Sequence, residues 1–196
     1  MKKANSILFL ICFAVALAAQ TTYSHDFNHR RLDTNRKAMF VLGTWAVGNM
    51  AIGGAMMGRK QGETKYFHQM NTGWGGVNLG IATLGYLAAT QADPTGFDAF
   101  ATVHEHYKMQ KILLFNAGLD IGYMAGGLYL IERSKNTANK PERLRGFGKS
   151  IVMQGAFLFA FDLTVYLFHA KNNTGLRNFV EGLSLTGDGL AFRYVF

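Results

Sequence analysis

Four apolar runs divide most of this chain: Ala38–Met57, Gly73–Ala89, Ile112–Ile131 and Ile151–Ala170, each 17 to 20 residues long. About 20 apolar residues is what a helix needs to cross the hydrocarbon of a bilayer. None of the runs alternates strictly; polar side chains recur in them at helical spacing, so all four are predicted helices. Lys, Asn, Gly, Thr and Asp93-Pro94 punctuate the stretches between them, as expected of loops. The predicted fold is therefore an all-α membrane protein, a four-transmembrane-helix bundle over residues 38–170. Composition agrees: 49% of residues are apolar and 16% charged, where a soluble chain carries about a quarter charged. The net charge of +8 is carried mainly between the runs. There it orients helices and meets anionic lipid head groups rather than nucleic acid.

The chain begins like an export signal. Lys2 and Lys3 precede an apolar stretch, Ile7–Leu17, and Ala16-Leu17-Ala18 supplies a cleavage motif. Residues 1–18 are read as a signal peptide and 19–37 as an exported segment. The one cysteine, Cys12, falls inside that signal, which leaves the mature chain without a disulfide, thiolate metal site or cysteine nucleophile. Arg133, Lys135, Lys140, Arg143, Arg145 and Lys149 crowd the third loop, and Arg59, Lys60 and Lys65 the first. Lys and Arg favour the cytoplasmic side. This predicts a bacterial inner-membrane protein with both mature ends periplasmic, against which Arg30, Arg31, Arg36 and Lys37 dissent.

The tail, 171–196, reads differently. Leu176, Phe179, Val180 and Leu183 follow the spacing of a short amphipathic surface helix, and Leu190–Phe196 alternates like a strand. That ending resembles the last strand of an outer-membrane barrel, the alternative location. A barrel needs ~10-residue alternating segments throughout, which the long runs lack. The halves also look alike: Leu42 to Gly54 can be laid over Phe115 to Gly127, and Gly75 and Tyr86-Leu87 over Gly155 and Tyr166-Leu167. That pattern suggests tandem two-helix units, repeated about an axis along the membrane normal.

The segment Lys65-Tyr66-Phe67-His68-Gln69-Met70-Asn71, followed by Trp74-Gly75-Gly76-Val77-Asn78-Leu79-Gly80, resembles a family of uncharacterised small bacterial multi-helix membrane proteins, a domain of unknown function. The ending Gly189 to Phe196 fits the same resemblance. It implies a membrane location and assigns no activity or site residue.

Polar groups inside the runs are the site candidates. Asp120 and Asp162 lie near mid-helix, with Asn49 and Asn78 at similar depth, Asn116 on the Asp120 face and Gln154 on the Asp162 arc. A charged carboxylate there costs at least ~2.5–3.5 kcal/mol, so the aspartates should face inward and be paired or protonated. No Lys or Arg lies inside a run to pair with them. Two readings follow: hydrogen-bonding glue between helices, or a proton or cation site. His104, His106 and His169 gather on the outer side, where imidazole with carboxylate suits Zn or Cu; solvated loop residues are the plain alternative. No cofactor is predicted. A heme would need a helical histidine at the depth of His169, and the sequence offers none. Gly118, Gly122, Ala125 and Gly126, with Gly54/Gly58 and Gly76/Gly80, form small-residue faces suited to packing within the bundle or to a homo-oligomer. The expected partners are the lipid bilayer and a protein partner. The functional expectations, in order, are a structural or accessory membrane protein, a small proton- or cation-coupled transporter using Asp120 and Asp162, and a metal-dependent membrane enzyme.

Overall fold

The computed structural model describes the backbone of residues 2–176, 183–186 and 189–192, and the side chains of residues 22–176. Four long helices make up the body: α1 (Lys2–Met57), α2 (Gly62–Gln91), α3 (Ala99–Lys135) and α4 (Pro141–Lys171). A two-stranded antiparallel hairpin follows, β1 (Leu183–Thr186) and β2 (Gly189–Phe192), with Leu183 opposite Phe192. Leu183 therefore belongs to a strand and not to the expected amphipathic helix. The rest of that predicted helix, 177–182, and the last residues, 193–196, lie outside the described residues.

Every helix overruns its apolar run, because the polar residues beside the runs continue the same buried face. In α1, Ser24, Asn28, Arg31, Asn35, Ala38, Leu42 and Ala46 are buried at steps of three and four, one stripe of a single helix. The expected exported segment 19–37 is thus part of α1, whose backbone also passes unbroken through Ala16-Leu17-Ala18. The side chains of 1–21, and the signal reading with them, lie outside the described residues. Likewise α3 starts at Ala99, so His104 and His106 are helical, not loop residues. Asp98 caps that start by accepting from the Ala101 N–H, and Asp93 accepts from the Thr95 N–H at a 3-10 turn over Pro94–Gly96. Both aspartates are spent on capping.

The chain runs up, down, up, down. α1 packs along α2, α3 along α4, and the two pairs meet where α2 lies beside α4. Close approach depends on glycine. A methyl placed on Gly75 would stand 2.9 Å from the Ala46 carbonyl oxygen, and one on Gly155 3.0 Å from that of Asp120. One on Gly53 would meet the His68 oxygen at 2.8 Å, and one on Gly127 the Gly148 oxygen at 2.7 Å. These contacts repeat. Each in the second pair is reached by moving 74 positions along from α1 and 80 along from α2. The two hairpins are packing equivalents, in the register expected for α2 and α4 and one residue later than expected for α1 and α3.

The glycine faces picked out from the sequence are not the ones that pack. Gly54, Gly58, Gly76, Gly80, Gly118, Gly122 and Gly126 all have open space where a Cβ would be. Small-xxx-small spacing marks a smooth helix face and does not say which face meets a neighbour.

Among the described residues, 15 buried side chains are polar or charged and 11 are apolar, five of these being alanine. Phe40, Leu84, Phe115, Leu128, Leu167 and Phe168 are meanwhile more than half exposed. Two stretches, Thr22–Met57 and Pro141–Leu176, are long and apolar enough to cross a membrane; α2 and α3 do not meet that measure.

Candidate functional site

The buried polar groups form three tiers along the bundle. The tier nearest the two short loops centres on Gln154 of α4. Its Nε2 donates to Asn49 Oδ1 at 2.9 Å and to Asn71 Oδ1 at 3.1 Å, and its Oε1 accepts from Trp45 Nε1 at 2.9 Å. Ser150 Oγ also donates to Asn71 Oδ1. Three helices are joined by one amide, and the Trp45 ring stacks on Phe157 with centroids 3.8 Å apart.

The middle tier holds Asp120 on α3 and Asp162 on α4, both buried and near enough for each carboxyl to act on the other. Side chains in helices lean toward the N-terminus. Because α3 and α4 run in opposite directions, the two carboxyls lean toward each other from different turns. No Lys, Arg or His among the described residues forms an ion pair with either. Asp120 Oδ2 and the fully buried Asn78 Nδ2 lack any hydrogen-bond partner.

A small apolar cluster, Ala38, Leu113 and Val165 with Met39, Met109, Phe161 and Tyr166 around it, separates this pair from the third tier. There His106, outside the apolar runs, and His169, at the end of the fourth, are both wholly buried, with ring centroids 5.8 Å apart. His169 Nε2 meets Asn35 Oδ1 at 2.9 Å, and His106 Nε2 meets Asn173 Oδ1 at 2.7 Å. Gln110 and Asn173 exchange amide hydrogen bonds, and Asn28 bridges Thr102 and Arg31. The Arg31 guanidinium lies over the Phe97 ring at 4.9 Å. Burial pushes the His106 imidazole below its ordinary pKa, opposed by the Asn173 hydrogen bond and reinforced by the charge of Arg31. The Nδ1 atoms of both histidines are buried without partners.

Of the residues expected from the sequence, Asp120 lies near Asp162 and Gln154 is hydrogen-bonded to Asn49. Asn78 is buried without a bond to either group, and Asn116 is half-buried outside the hydrogen bonds just described. Of the three outer histidines, His106 and His169 come together while His104 stays exposed. Among the described residues no three His, Cys, Asp or Glu side chains are placed to hold a metal ion. The expectation that no helical histidine lies level with His169 is overturned by His106. Sequence reading missed Trp45, Asn71 and Ser150 in the first tier and Asn28, Arg31, Asn35, Thr102 and Gln110 in the third. For all but Trp45, which lies inside the first run, the signal was recurrence at three and four residues beyond the apolar runs.

This arrangement defines a class: a tandem pair of helical hairpins, polar at its centre and apolar at its surface. The chain belongs to a family of unknown function (DUF6992), whose profile matches residues 41–163. That span covers the Gln154 tier and the aspartate pair and leaves Asn28, Arg31, Asn35 and His169 outside. No curated protein and no solved structure matches the chain.

Proposed function

We propose that all four helices cross a bacterial inner membrane, and that the protein is a small proton- or cation-coupled carrier working through Asp120 and Asp162. The four-span reading is supported by the inverted distribution of side chains. Asn, Gln, Asp, His and Ser fill the centre, and Val77, Ile81, Leu84, Ile112, Leu119 and Ile121 of α2 and α3 stand outward beside those of α1 and α4. In water such a surface would be an aggregation liability; in lipid it is solvated. The loops between partners, 58–61 and 136–140, with the last turn of α3, gather Arg59, Lys60, Arg133, Lys135 and Lys140 at one end, which is the cytoplasmic end by the charge rule.

The carrier reading rests on one observation, two buried carboxyl groups that lean toward each other at mid-bundle with no ion-pair partner among the described residues. Intramembrane carboxylates of this kind mark proton relays and ion paths. Polar tiers lie on both sides, one running toward the loop end and the other, beyond an apolar constriction, toward the opposite end. Interhelical glue satisfies its polar atoms; here Asp120 Oδ2 and Asn78 Nδ2 are left over. The test is flux in proteoliposomes loaded with a pH-sensitive dye. Asp120→Asn and Asp162→Asn should each abolish the response while keeping helical content and a single-sized particle. Wild-type flux in both variants, or none in the unaltered protein, would return the pair to glue and the protein to an accessory role.

A further inference from the structure

A groove of about 700 Å³ runs along the outside of the first hairpin, from Phe40 and Val41 past Gly48 to Gly53 and His68, with Trp45 and Phe157 among its walls. We infer that it holds one acyl chain of an anionic phospholipid from the cytoplasmic leaflet, with the phosphate seated among Arg59, Lys60 and Lys65. This inference rests on the four-span reading above.

The dimensions suit a chain. Phe40 to Gly53 on α1 spans ~20 Å at 1.5 Å per residue, enough for the ~15 Å half-thickness of one leaflet's hydrocarbon. The volume lies within the ~300–1,000 Å³ typical of ligand sites.

The charge at its mouth is complementary. The groove reaches His68 close to the loop end, and Lys65 lies one turn below His68 on α2, with Arg59 and Lys60 just past the end of α1. All three are exposed, and none has an ion-pair partner among the described residues. Of the other cations at that end, Arg145 and Lys149 pair with Glu63, Lys135 with Glu132, and Arg143 lies over the Phe147 ring, while Arg133 and Lys140 stand at the second hairpin's loop, away from the groove's α1–α2 mouth. Basic pockets between spanning helices on the cytoplasmic side are the usual seats of anionic head groups.

The repeat supplies an internal comparison. Moving 74 and 80 positions turns Asn49 into Tyr123, Gln154 back into Trp74, and Phe157 back into Val77. On that second face Trp74 and Tyr123 rest ring against ring, centroids 5.2 Å apart. There two large rings occupy the place that on the first face is held by the smaller Asn49 and Gln154, beside the groove. The groove is a departure from the symmetry of the fold.

Gly48 makes it testable. A Cβ added there meets nothing within 4 Å, so Gly48→Leu projects into the groove from a position with no backbone clash. The protein is reconstituted in nanodiscs of equal phosphatidylglycerol and phosphatidylcholine, then released into mild detergent and weighed intact with its retained lipid. The expected result is one phosphatidylglycerol per chain, a roughly tenfold fall in retention for Gly48→Leu, and loss of the preference for phosphatidylglycerol in the triple variant Arg59→Gln, Lys60→Gln, Lys65→Gln. Unchanged retention in Gly48→Leu, or equal retention of both lipids by the unaltered protein, overturns the proposal. Failure of the four-span reading shows separately, as release of the protein from membranes by alkaline carbonate.

Discussion

Replacing Gln154 by leucine removes the amide that joins α1, α2 and α4. Three hydrogen bonds disappear, to Trp45, Asn49 and Asn71. Within lipid-solvated bundles such bonds average about 0.6 kcal/mol each, so the variant should lose roughly 2 kcal/mol. The substitution preserves bulk and helix propensity, leaving the polar loss as the main term. Unfolding in mixed micelles by increasing sodium dodecyl sulfate, followed by helical circular dichroism, measures it. A second readout is local: the chain has two tryptophans, and in a Trp74→Phe background the emission of Trp45 reports the lost Nε1 donor directly. A loss below about 0.5 kcal/mol together with unchanged Trp45 emission would refute the idea that this amide holds the loop end together.

Gly127→Leu should prevent assembly of the α3–α4 hairpin, because its Cβ would meet the Gly148 oxygen at 2.7 Å, whereas Gly122→Leu, whose Cβ points into open space, should not lower the unfolding midpoint; the same titration separates them. Burial lowers the pKa of His106 from its ordinary 6.5, so the unfolded chain takes up its proton first as pH falls. Stability should therefore be flat above about pH 7 and decline below 6.5, and His106→Gln should flatten that decline in thermal unfolding across pH 7.5 to 5. Removing the cap with Asp98→Ala should cost about 1 kcal/mol and fray the start of α3, measured as faster amide exchange at residues 99–102. Single cysteines at positions 60 and 138, in a Cys12→Ser background, should be labelled from the cytoplasmic side only; labelling from the other side would reverse the topology.

The helices themselves were legible because lipid-sized apolar runs have few other uses. Asp120 and Asp162 were legible for a related reason: a carboxyl in such a run is expensive enough to need a partner, and each was the other's best offer. The extensions of the helices were harder to see. Asn28, Arg31 and Asn35 look like a solvated segment until α3 supplies Thr102 and His106 to face them, and no local pattern distinguishes a polar stripe facing polar neighbours from one facing water. Glycine misled for a geometric reason. Gly118, Gly122 and Gly126 have the spacing of a contact face, but what decides contact is the partner's position, and α4 lies against Gly127 instead. The repeat was visible in glycine and tyrosine placement, yet a helix offers several near-equivalent alignments, and one residue of slippage rotates every side chain by about 100°.

The equivalence of the two hairpins bears on how many protons the bundle can hold. Stepping back 74 positions from Asp120 lands on Ala46, and 80 back from Asp162 lands on Ala82, and both alanines are buried as deeply as the acids they match. A chain made of two identical halves would have had an acidic pair in each or in neither. Here one seat is furnished with acid and its twin with methyl groups, so the carrier proposed above would have one acidic pair per chain to work with and not two.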